Sequence, residues 1–262
     1  MTSDMQRAVS MVQDARSVVV LSGAGMSAES GVPTFRDAQT GLWERFAPEE
    51  LATEAAFRAN PSTVWSWYVW RAMLVRSVNP NDGHRKIGAW QRHLATLDGA
   101  LTVATQNVDD LHERGGAHEV LHLHGSLHAY RCLDCGTPAT FDPASTGVRA
   151  DQDFDHDDIV PTVACSHCEL GVLRPGVVWF GEMLPEDAFG AAVAALQEAD
   201  LVVVVGSSGL VQPAASLPLL GRDAGAKIIE INPAATELSK IADVYLPSTA
   251  AVALPEILSG VV

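Results

Sequence analysis

Positive charge is scarce in this chain. Against 32 Asp and Glu stand only 17 Lys and Arg, a net charge of -15 over 262 residues. A nucleic-acid binder needs a basic face to displace counterions, so no nucleic-acid partner is expected, and binding to anionic membranes is disfavoured for the same reason. Long apolar runs are missing too. The longest uncharged stretch, 201–221, contains Gly206, Gly209, Gln212, Pro213 and Pro218, and its apolar start ends at Val205. That pattern is a buried strand followed by a loop, not a membrane span. No basic start followed by an apolar segment opens the chain, so a secretory signal is not expected and a cytoplasmic setting is. There is no internal repeat and no low-complexity tract. What is abundant is core-forming material: 47% hydrophobic against 19% charged residues, with mean hydropathy +0.12. Disordered chains have the opposite balance. A chain of this length buries roughly 70–75% of its unfolded surface, as one large domain or two unequal ones.

Cysteine is also rare, but the four present are ordered. Cys132 and Cys135, and Cys165 and Cys168, form two C-x-x-C pairs enclosing 29 residues. Two thiolates three residues apart in a tight turn face one ion, and two such knuckles complete a tetrahedral four-thiolate site. One Zn2+ is therefore expected. Four cysteines leave no position for water, which makes the site structural. Two disulfides or four unrelated thiols are the alternatives, and disulfides are disfavoured in a cytosolic chain. His167, inside the second knuckle, is a competing ligand that a full cysteine set makes unnecessary.

Short aliphatic runs at 17–21, 101–104, 201–205, 227–231 and 243–246 read as buried parallel strands. Helical patterns precede the first (4–16) and the third (187–199), and a short helix is expected from Pro255. The alternation predicts an α/β fold with a doubly wound parallel sheet. Two regions interrupt it. Residues 46–92 carry Trp65, Trp67, Tyr68, Trp70 and Trp90 on a helical pattern, and 128–172 carry the cysteines. The expected division is a Rossmann-type nucleotide-binding domain from 1–45, 93–127 and 173–262. A smaller discontinuous domain would combine the helical module 46–92 with the zinc module 128–172.

The first strand runs into Ser22-Gly23-Ala24-Gly25-Met26-Ser27-Ala28. Glycines after a strand permit a sharp turn and let backbone N–H groups approach a pyrophosphate at a helix N-terminus. The third glycine is not spaced as in G-x-G-x-x-G, and no acidic residue stands out about 20 positions on, so a plain Rossmann dehydrogenase fits poorly. In Thr34-Phe35-Arg36-Asp37, an Arg–Asp pair is structural, or the loop places Arg36 on a phosphate or Phe35 on a cofactor ring.

At this point the residues resemble one family. Gly23 to Arg36 is similar to the first signature of the sirtuins, NAD-dependent protein deacylases. Thr105-Gln-Asn-Val-Asp109 resembles the second, and Leu123-His-Gly-Ser126 the third. Gly206-Ser-Ser208 and Ile231-Asn-Pro233 resemble later cofactor-contacting segments. The matches run in order from about 17 to 258. The resemblance implies a Rossmann-type domain, a zinc-plus-helical small domain and NAD lying between them. It implies that NAD is consumed as a co-substrate: the acyl-lysine oxygen displaces nicotinamide, a histidine acts as base on a ribose hydroxyl, and the acyl group moves to ADP-ribose. By motif position that histidine is His124. His122 would share its face on a regular strand, so spacing alone does not choose between them.

Carried over in the same way, Gly23, Ala24, Gly25 and Ala28 line the phosphate side, and Thr34, Phe35 and Arg36 form the cofactor loop. Gln106, Asn107 and Asp109 hold nicotinamide and its ribose. Gly206, Ser207, Ser208, Asn232, Pro233 and Ala234 hold the adenosine half, with a last contact at Ala250. The plainer alternatives are turn requirements for the small residues and helix capping for Asn107 or Asp109.

Tyr68 and Arg71 are three apart, so on a helix they share a face. A guanidinium and a phenol converging in an apolar pocket bind a carboxylate through charge-assisted hydrogen bonds. This Tyr-x-x-Arg resembles the class III sirtuins, which prefer succinyl- and malonyl-lysine to acetyl-lysine. The alternative is an aromatic core helix with Arg71 at the surface. The resemblance also places an acyl-lysine protein or peptide as a strand between 177–182 and the loop after Ser208, with Val177 and Phe180 in contact. A core strand with an exposed Glu182 is the alternative there. Still open are a plain NAD-dependent deacetylase, an ADP-ribosyltransferase or NAD hydrolase, and a zinc-bearing NAD sensor. A monomer is the favoured expectation.

Overall fold

The computed structural model of the protein describes residues 3–33, 51–150, 154, 159–168 and 170–262. Its strands are β1 (Ser17–Ser22), β2 (Ala100–Thr105), β3 (Leu121–His122), β4 (Gly125–Cys132), β5 (Pro138–Ala139), β6 (Leu173–Val177), β7 (Leu201–Val205), β8 (Lys227–Ile231) and β9 (Val244–Leu246). Six form a parallel sheet in the order β3-β2-β1-β7-β8-β9. The chain leaves β1 toward β2 on one side and later returns to β7 on the other. Strand order therefore reverses between β1 and β7. In open α/β sheets, ligands bind at the carboxyl ends of the strands at such a point.

The sheet is apolar on both faces, as its sequence predicts. Val18, Val20, Leu201, Val203 and Val205 point into one core, shared with α1 (Ser3–Asp14). Val19, Leu21, Val202 and Val204 point into the other. Two helices flanking β7 in the chain, α7 (Glu186–Glu198) and α8 (Leu217–Asp223), cover that second face. Each such buried aliphatic side chain contributes about 1.5–3 kcal/mol. The last helix, α9 (Ala250–Ile257), starts five residues before Pro255 rather than at it. Pro255 stands inside the helix, where apolar burial of Ala253, Leu254 and Ile257 holds the turn together.

A third core lies apart from the sheet. It joins α3 (Glu54–Ala59) and α4 (Pro61–Ser77) to the strands β4 and β6 and to Cys132 and Cys165. The helix α4 starts with Pro61 at its first position, where a missing N–H costs nothing. It buries Trp65, Trp67, Tyr68 and Trp70. Antiparallel β5-β4-β6 forms the small sheet beneath it. Trp90 does not join this cluster. With Ile87 and Leu94 it sits on α5 (Asp82–Ala95), packed on the large sheet. Among the described residues no helix is long and apolar enough to cross a membrane.

Candidate active site

The Gly23–Gly25 turn leaves β1 where β7 ends, and the two backbones touch. Gly23 and Gly25 donate their N–H groups to the carbonyls of Val205 and Gly206, both at 2.9 Å. A Cβ on Gly25 would stand 2.7 Å from Gly206 Cα, and one on Gly23 would stand 2.8 Å from Ser207 Cα. Gly206 itself has a φ of +60°. Only glycine permits this approach. Behind the turn is the short helix α2 (Gly25–Ala28), with Ala24 and Ala28 half-buried. The cradle is bare backbone at a switch point, as a pyrophosphate requires. Thr34, Phe35 and Arg36 lie outside the described residues.

Ser27, buried on α2, ties a buried polar cluster together. Its hydroxyl donates to Asp109 Oδ2 at 2.9 Å and accepts from Asn107 Nδ2 at 3.0 Å. Asp109 also accepts from the Leu111 N–H at 3.1 Å, at the start of α6 (Leu111–Arg114). The capping alternative for Asp109 is thus met by one oxygen while the other faces Ser27. Burial pushes the Asp109 carboxyl above its ordinary value, against the pull of the Leu111 and Ser27 hydrogen bonds. Nothing about a serine in a Gly-rich turn distinguishes it as such a hub. Only the distant pairing with 107 and 109 does.

The two candidate histidines part company. The strand β3 stops at His122, and a turn follows, so the regular-strand geometry that would put both on one face is not formed. His122 Nε2 meets Glu113 at 2.6 Å. Burial works against the charged imidazole, but the Glu113 hydrogen bond and charge outweigh it and raise the pKa. His124 Nδ1 lies 3.0 Å from the carbonyl of Gln106. A carbonyl only accepts, so Nδ1 carries the proton and Nε2 presents its lone pair. Burial lowers the His124 pKa, with the Gln106 carbonyl opposing. The next residue, Gly125, has a φ of +73°, and a Cβ there would lie 2.1 Å from the Gly176 carbonyl oxygen. This close packing holds the turn that aims His124.

On the other side of the switch point, Gln106 Nε2 donates to Ser207 Oγ at 3.2 Å, and Asn232 Nδ2 donates to the Ser207 carbonyl at 2.7 Å. Ser208 is half-buried beside them, and Pro233 and Ala234 are exposed at the end of β8. Below them Glu230, buried in β8, accepts hydrogen bonds from Thr236 at 2.5 Å and from Ser239. Ala250 is buried against Gly83, where a Cβ would stand 2.9 Å from its carbonyl oxygen.

Tyr68 is buried on α4, and its hydroxyl accepts from Trp179 Nε1 at 2.9 Å. Burial pushes its pKa up to about 12, despite the nearby Arg71 charge. Arg71 is half-buried rather than free at the surface, its guanidinium 4.7 Å from the centre of the Trp67 ring. Burial lowers its pKa, while Tyr68 and Asp109 act to raise it. Among the described residues it has no ion pair. Val177 is buried, and its carbonyl accepts from Arg174 at 2.9 Å. Phe180 is 50% exposed. Glu182 is not the free surface carboxylate that a plain core strand would leave. It pairs with Arg174 and accepts the Trp179 N–H at 2.9 Å.

The four cysteine sulfurs converge within 4.8 Å of one another, with Cys132–Cys168 at 3.6 Å and Cys135–Cys165 at 3.9 Å. Zn–S bonds of about 2.3 Å in a tetrahedron place sulfurs roughly 3.8 Å apart, so the cluster fits one zinc ion. Backbone N–H groups of Asp134 and Cys135 point at Cys132 Sγ, and that of His167 points at Cys165 Sγ. These bonds orient the sulfurs as a second shell does. The exposed His167 ring is not in the cluster.

Comparison with known proteins agrees with this architecture. The Sir2 family profile matches residues 23–213. An NAD-dependent protein deacylase of Corynebacterium glutamicum is 44% identical over 98% of this chain and 95% of its own. One of Mycobacterium tuberculosis is 49% identical over 92% of this chain and 96% of its own. A solved Sir2 homologue–NAD complex superposes with a TM-score of 0.84 at 42% identity, covering 98% of this chain and 93% of that one. The switch-point cradle, the four-cysteine cluster and these matches lead to one conclusion: this chain belongs to the Sir2 family, the sirtuins.

Proposed function

We propose that this Sir2-family enzyme, an NAD-dependent protein deacylase, acts on acyl-lysines whose acyl group ends in a carboxylate, succinyl and malonyl, and more weakly on acetyl-lysine. The products would be nicotinamide, the free lysine and O-acyl-ADP-ribose. The observation that carries the acyl preference is the Tyr68–Arg71 pair. Arg71 is desolvated, stacked on Trp67 and without an ion pair among the described residues, beside a neutral phenol held by Trp179. A carboxylate is the partner such a pair lacks. A methyl end leaves the guanidinium unsatisfied, which penalises acetyl-lysine.

The other roles are carried over from the family motifs, and the geometry of the described residues supports them. Bound NAD supplies a ribose carbon made electrophilic by the nicotinamide leaving group. Gly23, Ala24, Gly25 and Ala28 would hold its phosphates, with Thr34, Phe35 and Arg36 closing over it. Gln106, Asn107 and Asp109 would hold the nicotinamide half. Asn107 and Asp109 are locked to each other through Ser27, so a carboxamide meets a fixed donor and acceptor. Gly206, Ser207, Ser208, Asn232, Pro233, Ala234 and Ala250 would serve the adenosine half. His124 Nε2, unprotonated because Nδ1 is committed to Gln106, would take the proton of a ribose hydroxyl. The peptide would lie beside Phe180, with Val177 backing the acyl-lysine channel.

Zinc would only cross-link the small domain, because four thiolates leave no open position for substrate. Thiolate ligation suits a reducing compartment, in line with a cytoplasmic setting.

The test is a comparison of otherwise identical succinyl- and acetyl-lysine peptides, with and without NAD, on wild type and Arg71→Met. Selective loss of the succinyl reaction in the variant supports the reading. Equal loss on both peptides contradicts it.

A further inference from the structure

The direction of the hydrogen bond between Trp179 and Tyr68 is not a matter of assignment. An indole Nε1–H only donates, whereas a phenol hydroxyl both donates and accepts. At 2.9 Å the Tyr68 oxygen is therefore the acceptor, and its own proton must point elsewhere. No acceptor for that proton is found among the described residues. Burial keeps the phenol neutral, so the proton stays on the oxygen.

The indole is itself immobilised. Trp179 is 2% exposed. The Arg174 guanidinium lies 3.4 Å from its ring centre, and the Phe57 ring centre lies 5.4 Å away. Its backbone N–H is held by Glu182, which also pairs with Arg174, and Arg174 is in turn fixed by the Val177 carbonyl. The indole N–H is thus a fixed donor 111 residues from the tyrosine it addresses.

We infer that Trp179 is a positioning residue for acyl selectivity: by occupying one lone pair of the Tyr68 oxygen, it turns the Tyr68 proton into the acyl pocket, so that Tyr68 and Arg71 present donors only. A donor-only pair takes an acyl end that accepts without donating, which is a carboxylate. An amide of the same shape brings its own N–H groups against the guanidinium and is refused. The inference rests on the carboxylate-clamp reading above and adds to it the residue that sets the polarity of the clamp.

The experiment measures kcat and KM on succinyl-lysine, acetyl-lysine and succinamide-lysine versions of one peptide. The enzymes are wild type, Trp179→Phe, Tyr68→Phe and the double variant. Loss of one neutral hydrogen bond to a group that binds charge predicts about a tenfold fall in kcat/KM for succinyl-lysine in Trp179→Phe, mostly in KM. Acetyl-lysine activity should fall less than succinyl-lysine activity, and a cooperative thermal melt reports that the variant folds. The double variant should be no worse than Tyr68→Phe alone, because the indole acts only through the phenol. The succinyl-to-succinamide preference should shrink in Trp179→Phe.

If Tyr68→Phe leaves the succinyl-to-acetyl ratio unchanged, the clamp itself is wrong and this inference falls with it. If Tyr68→Phe lowers the ratio while Trp179→Phe does not, only the role of the indole is overturned. Should Trp179→Phe fail to fold, 15N-labelled tryptophan in otherwise wild-type protein gives the answer. One indole N–H resonance should move in Tyr68→Phe, and the same one should move on adding succinyl-peptide but not acetyl-peptide. No such shared resonance would overturn the inference.

Discussion

The ring of His124 donates its Nδ1 proton to the carbonyl of Gln106, which leaves the Nε2 lone pair unprotonated at the C-terminal edge of the sheet. Gln106 also donates to Ser207 across the switch point, so one residue fixes the His124 tautomer and bridges the loops that follow β2 and β7.

For the proposed role of His124, this relationship predicts the pH dependence. A base works only when neutral, and burial lowers the His124 pKa from its ordinary 6.5. The acid limb of kcat/KM is therefore expected below that value, with full activity at neutral pH. His122, whose pKa Glu113 raises, should titrate above it. Histidine NMR titration read alongside the rate profile checks the order. An acid limb that follows His122 would exchange the two roles. His124→Ala should lose about a hundred- to ten-thousand-fold in activity while still binding NAD.

Arg71→Met should cost roughly 10- to 100-fold on succinyl-lysine, the value of a charge-assisted hydrogen bond of about 1.5–3 kcal/mol. Acetyl-lysine turnover should change little. Steady-state kinetics on the two peptides measures the ratio.

Two glycine substitutions should behave oppositely. A methyl on Gly25 meets Gly206 Cα at 2.7 Å, backbone against backbone, whereas one on Gly190 in α7 meets nothing within 4 Å. Gly25→Ala should weaken NAD binding by about tenfold or more and lower the melting temperature, as overpacking costs about 1–3 kcal/mol. Gly190→Ala should leave binding unchanged and stabilise the helix by about 0.5–1 kcal/mol. Calorimetry with NAD and thermal melts distinguish the two.

Removing zinc should collapse the small core, because Cys132 and Cys165 are buried within the cluster that contains Tyr68 and Trp179. Native mass spectrometry should find one zinc per chain, lost in Cys165→Ser. A strong chelator should abolish deacylation and expose tryptophan fluorescence. Metal-free protein with full activity would show that the ion is dispensable.

Much of this was legible in the residues. The five apolar runs became five of the six strands of the large sheet, because a doubly covered strand needs apolar side chains on both faces and the pattern says so directly. The cysteine knuckles converged as their spacing required. What was not legible depends on distant contacts. β3 is two residues long and carries no periodicity. Trp90 shares a helical aromatic pattern with Trp65–Trp70 yet packs in a different core, since a pattern gives a buried face but not what it is buried against. Ser27 as the hub of Asn107 and Asp109, and Trp179 as the partner of Tyr68, span 80, 82 and 111 residues. No local rule reaches that far.

The most direct test of the central claim incubates one peptide, carrying succinyl-lysine or acetyl-lysine, with the enzyme in the presence or absence of NAD, and reads all products by mass spectrometry. The account predicts NAD-dependent loss of succinyl, faster than loss of acetyl, with nicotinamide and O-succinyl-ADP-ribose formed in equal amounts. NAD consumed at the same rate without peptide, and no acyl group lost, would contradict it.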